Sequence, residues 1–144
     1  MAAIPNAAPR TNTIGRRGFS DEGERARLSE TALKAFGRLV AAWGLTAQQA
    51  SALLGVSVST WERMRGGKVA KTLSQDQLTR ISALTGIYKG LHLLFVDDMA
   101  DRWPQLSNSG MLFDRQTPVE AMMSGGIPHM LEVRRYVDAV RGGL

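Results

Sequence analysis

The sequence predicts an all-α fold, and two observations support that prediction. Apolar residues recur at the three- and four-residue spacing of an amphipathic helix in several segments between residues 28 and 144. Some of these segments begin with a Ser or Thr that is followed three residues later by Gln or Glu, which is the capping-box pattern of a helix start. The predicted boxes pair Thr46 with Gln49, Ser74 with Gln77, and Thr117 with Glu120.

The composition limits the class of protein. The chain has 144 residues, 44% of them hydrophobic, and no cysteine. It can therefore bury a core in one domain or two small ones, but it has no disulfide and no thiolate metal site. His92 and His129 are the only histidines, too few and too far apart in sequence to suggest a metal site. No run approaches the ~20 apolar residues of a membrane span, and the N-terminus lacks the apolar core of a signal peptide, so we expect a soluble cytosolic protein.

Residues 45–67 have the pattern of two short helices joined by a tight turn. Ala50, Leu53 and Leu54 form an apolar stripe on the first helix. Gly55 then suits the left-handed backbone that ends a helix before a sharp turn.

The second helix of this pair is predicted to begin at Ser57, whose hydroxyl is a good N-cap, with Val56 and Trp61 placed as a hydrophobic staple. We expect Val58, Trp61 and Met64 on its buried side. This is the sequence form of a helix-turn-helix, in which the second helix enters the DNA major groove. An ordinary helical hairpin that serves packing alone is the alternative.

Positive charge gathers at and just after this second helix. The chain has a net charge of +5, yet residues 101–144 carry five basic and five acidic side chains, and residues 61–71 carry four basic side chains against Glu62 alone. A surface that contacts DNA phosphates has this character; a solvated basic loop is the alternative. The predicted DNA-binding residues are Ser57, Ser59, Thr60, Glu62, Arg63, Arg65, Lys68 and Lys71.

The segments on either side of the pair predict further helices. Residues 1–27 are predicted to be a flexible basic tail, because prolines, glycines and arginines dominate their first 20 positions. A helical stripe from Leu28 to Trp43 follows, with Ser29 as its predicted cap. After Ser74 the pattern predicts two helices, at about 75–85 and 87–101, separated at Gly86.

The C-terminal part predicts a loop and two more helices. Trp103-Pro104 ends the preceding run, and residues 104–116 predict a loop. Thr117 caps a short helix that is predicted to end at Gly125-Gly126, and Pro128 opens the last helix. No nucleophile–base pair and no glycine-rich phosphate loop is recognisable, so the sequence predicts neither an enzyme nor a bound cofactor or metal.

Taken together, these segments resemble the Xre/MbcA/ParS family of bacterial type II antitoxins over residues 28–144. The resemblance rests on the order and spacing of Leu53-Leu54-Gly55-Val56-Ser57, Ile87-Tyr88-Lys89-Gly90-Leu91, Trp103-Pro104, Thr117-Pro118-Val119-Glu120, Ser124-Gly125 and residues 133–141. The loop departs from the family pattern: Asn108 and a single Gly110 stand where the family often has Asn and a Gly-Gly pair.

The resemblance implies an architecture and partners. It implies an Xre-like helix-turn-helix and dimerisation domain at residues 28–100, which can bind its operator, and a toxin-binding domain at residues 101–144. The implied partner is a RES-domain toxin that uses NAD+ as its substrate, either degrading it or modifying a target protein. A homodimer, and a heterotetramer or larger assembly with the toxin, are the implied stoichiometries.

The resemblance also implies that the last helix and tail occlude the toxin's NAD+ pocket. The tail suits that role, because glycines leave the end slim and the terminal carboxylate suits a pocket that receives a pyrophosphate. The predicted toxin-binding residues are Arg134, Arg135, Tyr136, Asp138, Arg141, Gly142, Gly143 and Leu144. A stand-alone DNA-binding regulator is the alternative function.

Overall fold

The computed structural model describes residues 19–65 and 72–142, and within these ranges the regular structure is helical, without a strand. The helices are α1 (Glu22–Trp43), α2 (Ala47–Leu54), α3 (Val58–Met64), α4 (Gln75–Leu94), α5 (Met99–Arg102) and α6 (Pro118–Arg141), with a 3₁₀ turn at Trp103–Gln105. No helix in the described ranges combines the length and the apolar character that crossing a bilayer requires. The predicted all-α class is confirmed.

Helix α1 begins earlier than the sequence predicted. Its N-cap is Asp21, whose carboxylate accepts a hydrogen bond from the Glu24 backbone N–H at 3.2 Å. Residues 22–27 therefore belong to α1 and not to a tail. Ser29, the predicted cap, is instead buried in the middle of α1: its hydroxyl donates to the Arg25 carbonyl (2.5 Å) and accepts from the Leu73 N–H (2.9 Å). Serine is ambiguous from sequence because it serves as a cap or bonds back to the preceding turn.

The helix-turn-helix has the predicted local geometry. The Thr46 and Gln49 side chains form a reciprocal capping box at the start of α2. Gly55 ends α2 with φ of 79°, a left-handed backbone that glycine adopts without strain. Ser57 then caps α3 by accepting from the Thr60 N–H at 3.1 Å. Trp61 is buried and packs edge-on against the ring of Phe36 in α1, which anchors α3 to the core.

Helix α4 runs unbroken through Gly86, so the predicted division into helices at 75–85 and 87–101 is wrong. Gly86 lies where α6 crosses α4, and a Cβ atom there would overlap the guanidinium of Arg134. One turn later a Cβ atom at Gly90 would lie 2.7 Å from Cγ1 of Val137. These glycines allow two helices to approach closely. In a single sequence, a glycine with this role looks the same as a glycine that ends a helix.

Helix α6 has the predicted start and the predicted interruption. Thr117 and Glu120 form the third capping box. At Gly126 the backbone leaves helical geometry (φ 66°, ψ −154°), and Pro128 lies within the helix that continues after this kink. The second half of α6, after this kink, packs along α4.

One continuous hydrophobic core joins the N-terminal and C-terminal parts of the chain. Its fully buried side chains come from both: they include Phe36, Leu53, Leu54, Leu84, Ile87, Leu91, Phe113, Met122, Met130, Val133 and Val137. The functional division at residue 100 stays a prediction, but the two parts share this core. The last helix is therefore fixed relative to the helix-turn-helix.

Replacing Gly90 by Ala is expected to destabilise the protein. The added methyl would meet Val137, whose β-branched side chain has little freedom to move. Overpacking of this kind costs about 1–3 kcal/mol, against a gain of up to about 1 kcal/mol from the better helix former. With the middle of the first range, urea unfolding should show a net loss of about 1 kcal/mol.

Gly37→Ala in α1 is the matched control, because nothing lies within 4 Å of a Cβ atom there. That change should raise the free energy of unfolding by about 0.5–1 kcal/mol. Equal stabilisation by both substitutions would contradict the close approach of α6 to Gly90.

Candidate functional site

The outward face of α3 is the first candidate site. Trp61 holds the inner side of this helix in the core, which leaves Ser59, Glu62 and Arg63 exposed on the outer side. Val58, predicted to be buried, is 44% exposed at the start of α3. It lies one turn before the buried Trp61 and does not reach the core. The prediction from the apolar stripe that Val58 is buried is therefore wrong.

Local hydrogen bonds organise the polar groups of this face. The Ser57 hydroxyl donates to Oγ1 of Thr60 at 2.9 Å while accepting from the Thr60 N–H. Arg63 donates to the same Thr60 oxygen at 3.2 Å, and Arg65 pairs with Glu62 at 3.0 Å. Both guanidinium groups stay exposed to solvent, so each can exchange its exposed partner for a phosphate or base at little cost.

The chemistry of the α3 face suits the DNA major groove. An apolar methyl pair such as that of Val58 fits the C5-methyl group of thymine, Glu62 can accept from cytosine N4, and arginine donates to guanine or phosphate. The first residues of a recognition helix are those that reach base edges. Val58, Ser59 and Glu62 are therefore candidates for base contact.

The second half of α6 is the second candidate surface. Tyr136 is 41% exposed, and its ring lies 6.4 Å from that of Trp103 and 5.7 Å from that of Phe113. On the same helix Arg135 is hydrogen-bonded to Glu132, and Arg141 pairs with Asp138 at 3.5 Å. This surface combines a supported aromatic ring with charged groups.

Gln105 links the C-terminal segment to α1 and α2. It lies in the 3₁₀ turn before α6, and its amide N–H group donates to the Gln49 side-chain oxygen at 3.0 Å and to the Trp43 carbonyl at 3.3 Å. The same Gln49 oxygen accepts from the Thr46 N–H in the capping box of α2. The C-terminal segment is thus hydrogen-bonded to the start of the helix-turn-helix.

Comparison with known proteins identifies the family. Residues 22–86, from the start of α1 into α4, match the family model described as Antitoxin Xre-like helix-turn-helix domain. The chain is also 34% identical over 129 residues to the uncharacterized protein y4oB of Sinorhizobium fredii (strain NBRC 101917 / NGR234), and the alignment covers 88% of this chain and 96% of that protein. No solved structure matches the chain. This chain belongs to the Xre-type antitoxin family.

As an Xre-type antitoxin, the protein is of the antitoxin and helix-turn-helix regulator type, which is not typically catalytic. The family indicates DNA binding and a toxin partner. Within residues 19–65 and 72–142, no group of three or more His, Cys, Asp or Glu side chains is placed to hold a metal ion.

The structure brings most of the antitoxin's predicted DNA-binding residues onto one surface. Ser57, Ser59, Thr60, Glu62, Arg63 and Arg65 all lie on α3 or at its ends. Lys68 and Lys71 lie outside the described residues. The hydroxyl of Ser57 is committed to capping, so its contribution to a DNA contact is to hold the helix start.

The predicted toxin-binding residues divide into two groups. Arg135, Tyr136, Asp138 and Arg141 are exposed on α6, and Gly142 follows its last turn. Arg134 is half-buried instead, because its guanidinium covers Gly86 of α4. Gly143 and Leu144 lie outside the described residues. The roles of all these residues stay predictions.

Sequence reasoning missed two functional candidates of the antitoxin. Val58 was assigned to the core because it fits an apolar stripe with Trp61. Gln105 gave no signal, since its partners Gln49 and Trp43 are 56 and 62 residues away in sequence. A long-range amide pair of this kind becomes visible once the fold places α2 beside the 3₁₀ turn.

Proposed function

We propose that this antitoxin neutralises a RES-domain toxin that consumes NAD+ or uses it to ADP-ribosylate a target. In this proposal the second half of α6 and the residues after it occlude the toxin's NAD+ pocket. The observation that supports it is the exposed face of α6, where Tyr136 is braced by Trp103 and Phe113 beside Arg135, Asp138 and Arg141. A rigid aromatic anchor beside arginines has the composition of a binding hot spot.

The chemistry of an NAD+ pocket favours this mode. Such a pocket presents donors to the pyrophosphate, and it has to be entered by a segment of small cross-section. Gly142 and Gly143 carry no side chain that would obstruct entry. The firm attachment of α6 to the core would position this slim end, which lowers the entropy cost of binding.

We propose further that the helix-turn-helix represses the antitoxin's own operon as a homodimer. A dimer would present two copies of α3 to half-sites about one helical turn apart, so the operator would be a near-palindrome. A stand-alone DNA-binding regulator is the second candidate function. The exposed α3 face supports this regulator function, which does not explain the exposed aromatic and charged side chains of α6.

Removal of residues 141–144 is expected to abolish toxin neutralisation. The test is co-expression with a RES-domain toxin, for which the product of a neighbouring gene is the first candidate, with cell growth as the measurement. Because the deletion removes only Arg141, the last residue, from α6, helical circular dichroism and operator binding should be retained. A Gly143→Trp variant keeps the length of the chain but adds bulk, and it should fail to protect cells as well.

Arg141→Ala measures how much of the loss is due to this side chain alone, and it should lower protection less than the truncation does. If the truncated protein still rescues growth, occlusion by the tail is excluded. If no toxin lies beside the gene and operator binding is intact, the regulator function is favoured.

Replacing both Arg63 and Arg65 by Ala should weaken operator binding and flatten its dependence on salt. The slope of log K against log salt is negative, and each lost phosphate contact reduces its magnitude by about 0.9. Fluorescence anisotropy with the duplex upstream of the gene, titrated at several salt concentrations, measures both effects. Lys34→Ala with Arg102→Ala removes two exposed cations from other helices and should leave the slope unchanged. Equal slopes for the two double variants would exclude the α3 face as the DNA-binding surface.

A further inference from the structure

A groove between α1 and α4 is bordered by cations and apolar side chains. It consists of two neighbouring cavities, of about 320 Å³ and about 290 Å³, which share Ala35, Thr85 and Lys89 as lining residues. Arg38 and Arg134 complete its basic border. Among the described residues no carboxylate lines either cavity. We name this feature the basic groove.

The cations of the basic groove have no charged partner in the part of the chain that the structure describes. Arg38, Lys89 and Arg134 take part in none of the ion pairs found there. Other exposed arginines, including Arg27, Arg65 and Arg135, are each paired with a glutamate three residues away. The groove therefore offers apolar area together with uncompensated positive charge, which suits an occupant that is both apolar and acidic.

The end of α4 carries a segment with that complementary character. Leu93 is 71% exposed and Val96 is 79% exposed, although both are large apolar side chains. Asp97 and Asp98 follow them, and both are exposed. Asp97 has φ of 62°, a left-handed backbone that turns the chain sharply at this point. We name these four residues the acidic knob.

The basic groove and the acidic knob follow each other along one helix. Leu93 lies one turn after Lys89, so the two side chains share a face of α4. A two-fold axis that crosses α4 between them would bring the groove of one copy opposite the knob of the other, and would do so twice. Such reciprocal pairing is the defining property of an isologous dimer interface.

We infer that a second copy of this chain docks its acidic knob in the basic groove, and receives the knob of its partner in return. Leu93 and Val96 would be buried against the apolar floor around Ala35 and Thr85. Asp97 and Asp98 would face Arg38 and Lys89 across the interface. This inference rests on the homodimer of the proposed function and adds the surface through which it forms. Neither the groove lining nor the knob includes a residue of α3, so the proposed contact leaves that helix available to DNA.

A charge-exchange experiment tests this pairing. The first variant carries Arg38→Glu and Lys89→Glu, and the second carries Asp97→Lys and Asp98→Lys. Each should repel its own copies, and its dimer dissociation constant should rise at least 100-fold, measured by sedimentation equilibrium. An equimolar mixture should recover the dimer mass, because in the mixed dimer both groove–knob pairs again have opposite charge. Circular dichroism verifies that these surface variants remain folded.

The control carries Arg63→Glu and Arg65→Glu on α3, which changes the net charge by the same amount as the first variant and should leave the dimer intact. If both exchange variants dimerise as the natural protein does, or if their mixture stays monomeric, the inference is wrong while the proposed homodimer stands on another surface. A natural protein that is monomeric at about 100 µM would overturn the inference and the homodimer together. In either case, toxin neutralisation in co-expression is a separate measurement.

Discussion

The close contact between α4 and α6 is the constraint on which the rest of the structure depends. At Gly90 the Val137 side chain occupies the space that any Cβ atom would need, and at Gly86 the guanidinium of Arg134 does the same. Two helices can approach to this distance where one of them lacks side chains at the crossing. Val133 and Val137 of α6 and Ile87 and Leu91 of α4 are buried in the same core, which joins the C-terminal part to the helix-turn-helix.

Two surfaces with different proposed tasks are therefore held by one core. Trp61 fixes α3 from the inside and leaves its outer face open. The close approach at Gly86 and Gly90 holds α6 against α4, and it leaves Tyr136 and its charged neighbours exposed to solvent. Gln105 adds a polar link between the C-terminal segment and the capping box of α2. An antitoxin built in this way holds the α3 face and the exposed face of α6, the surfaces proposed here for DNA and toxin, at a fixed separation, which would lower the ordering cost of binding either partner.

The sequence was sufficient wherever local chemistry decides the structure. The three capping boxes, the left-handed turn at Gly55 and the kink at Gly126 depend on neighbouring residues, and all were predicted correctly. The errors concern residues whose role depends on distant partners. A glycine such as Gly86 is typical of a helix break, and a serine such as Ser29 is typical of an N-cap. Each is explained by a contact with another part of the chain, Arg134 in one case and Leu73 in the other.

Hydrogen exchange of backbone amides, followed by mass spectrometry, tests directly whether α6 and the helix-turn-helix form one cooperative unit. If α6 is locked to α4 by the glycine contact, the amides of residues 130–137 should exchange through the same global opening as those of residues 84–91, with similar protection factors. Protection of residues 130–137 at least 100-fold lower than that of residues 84–91 would show that α6 detaches on its own. That result would contradict the account.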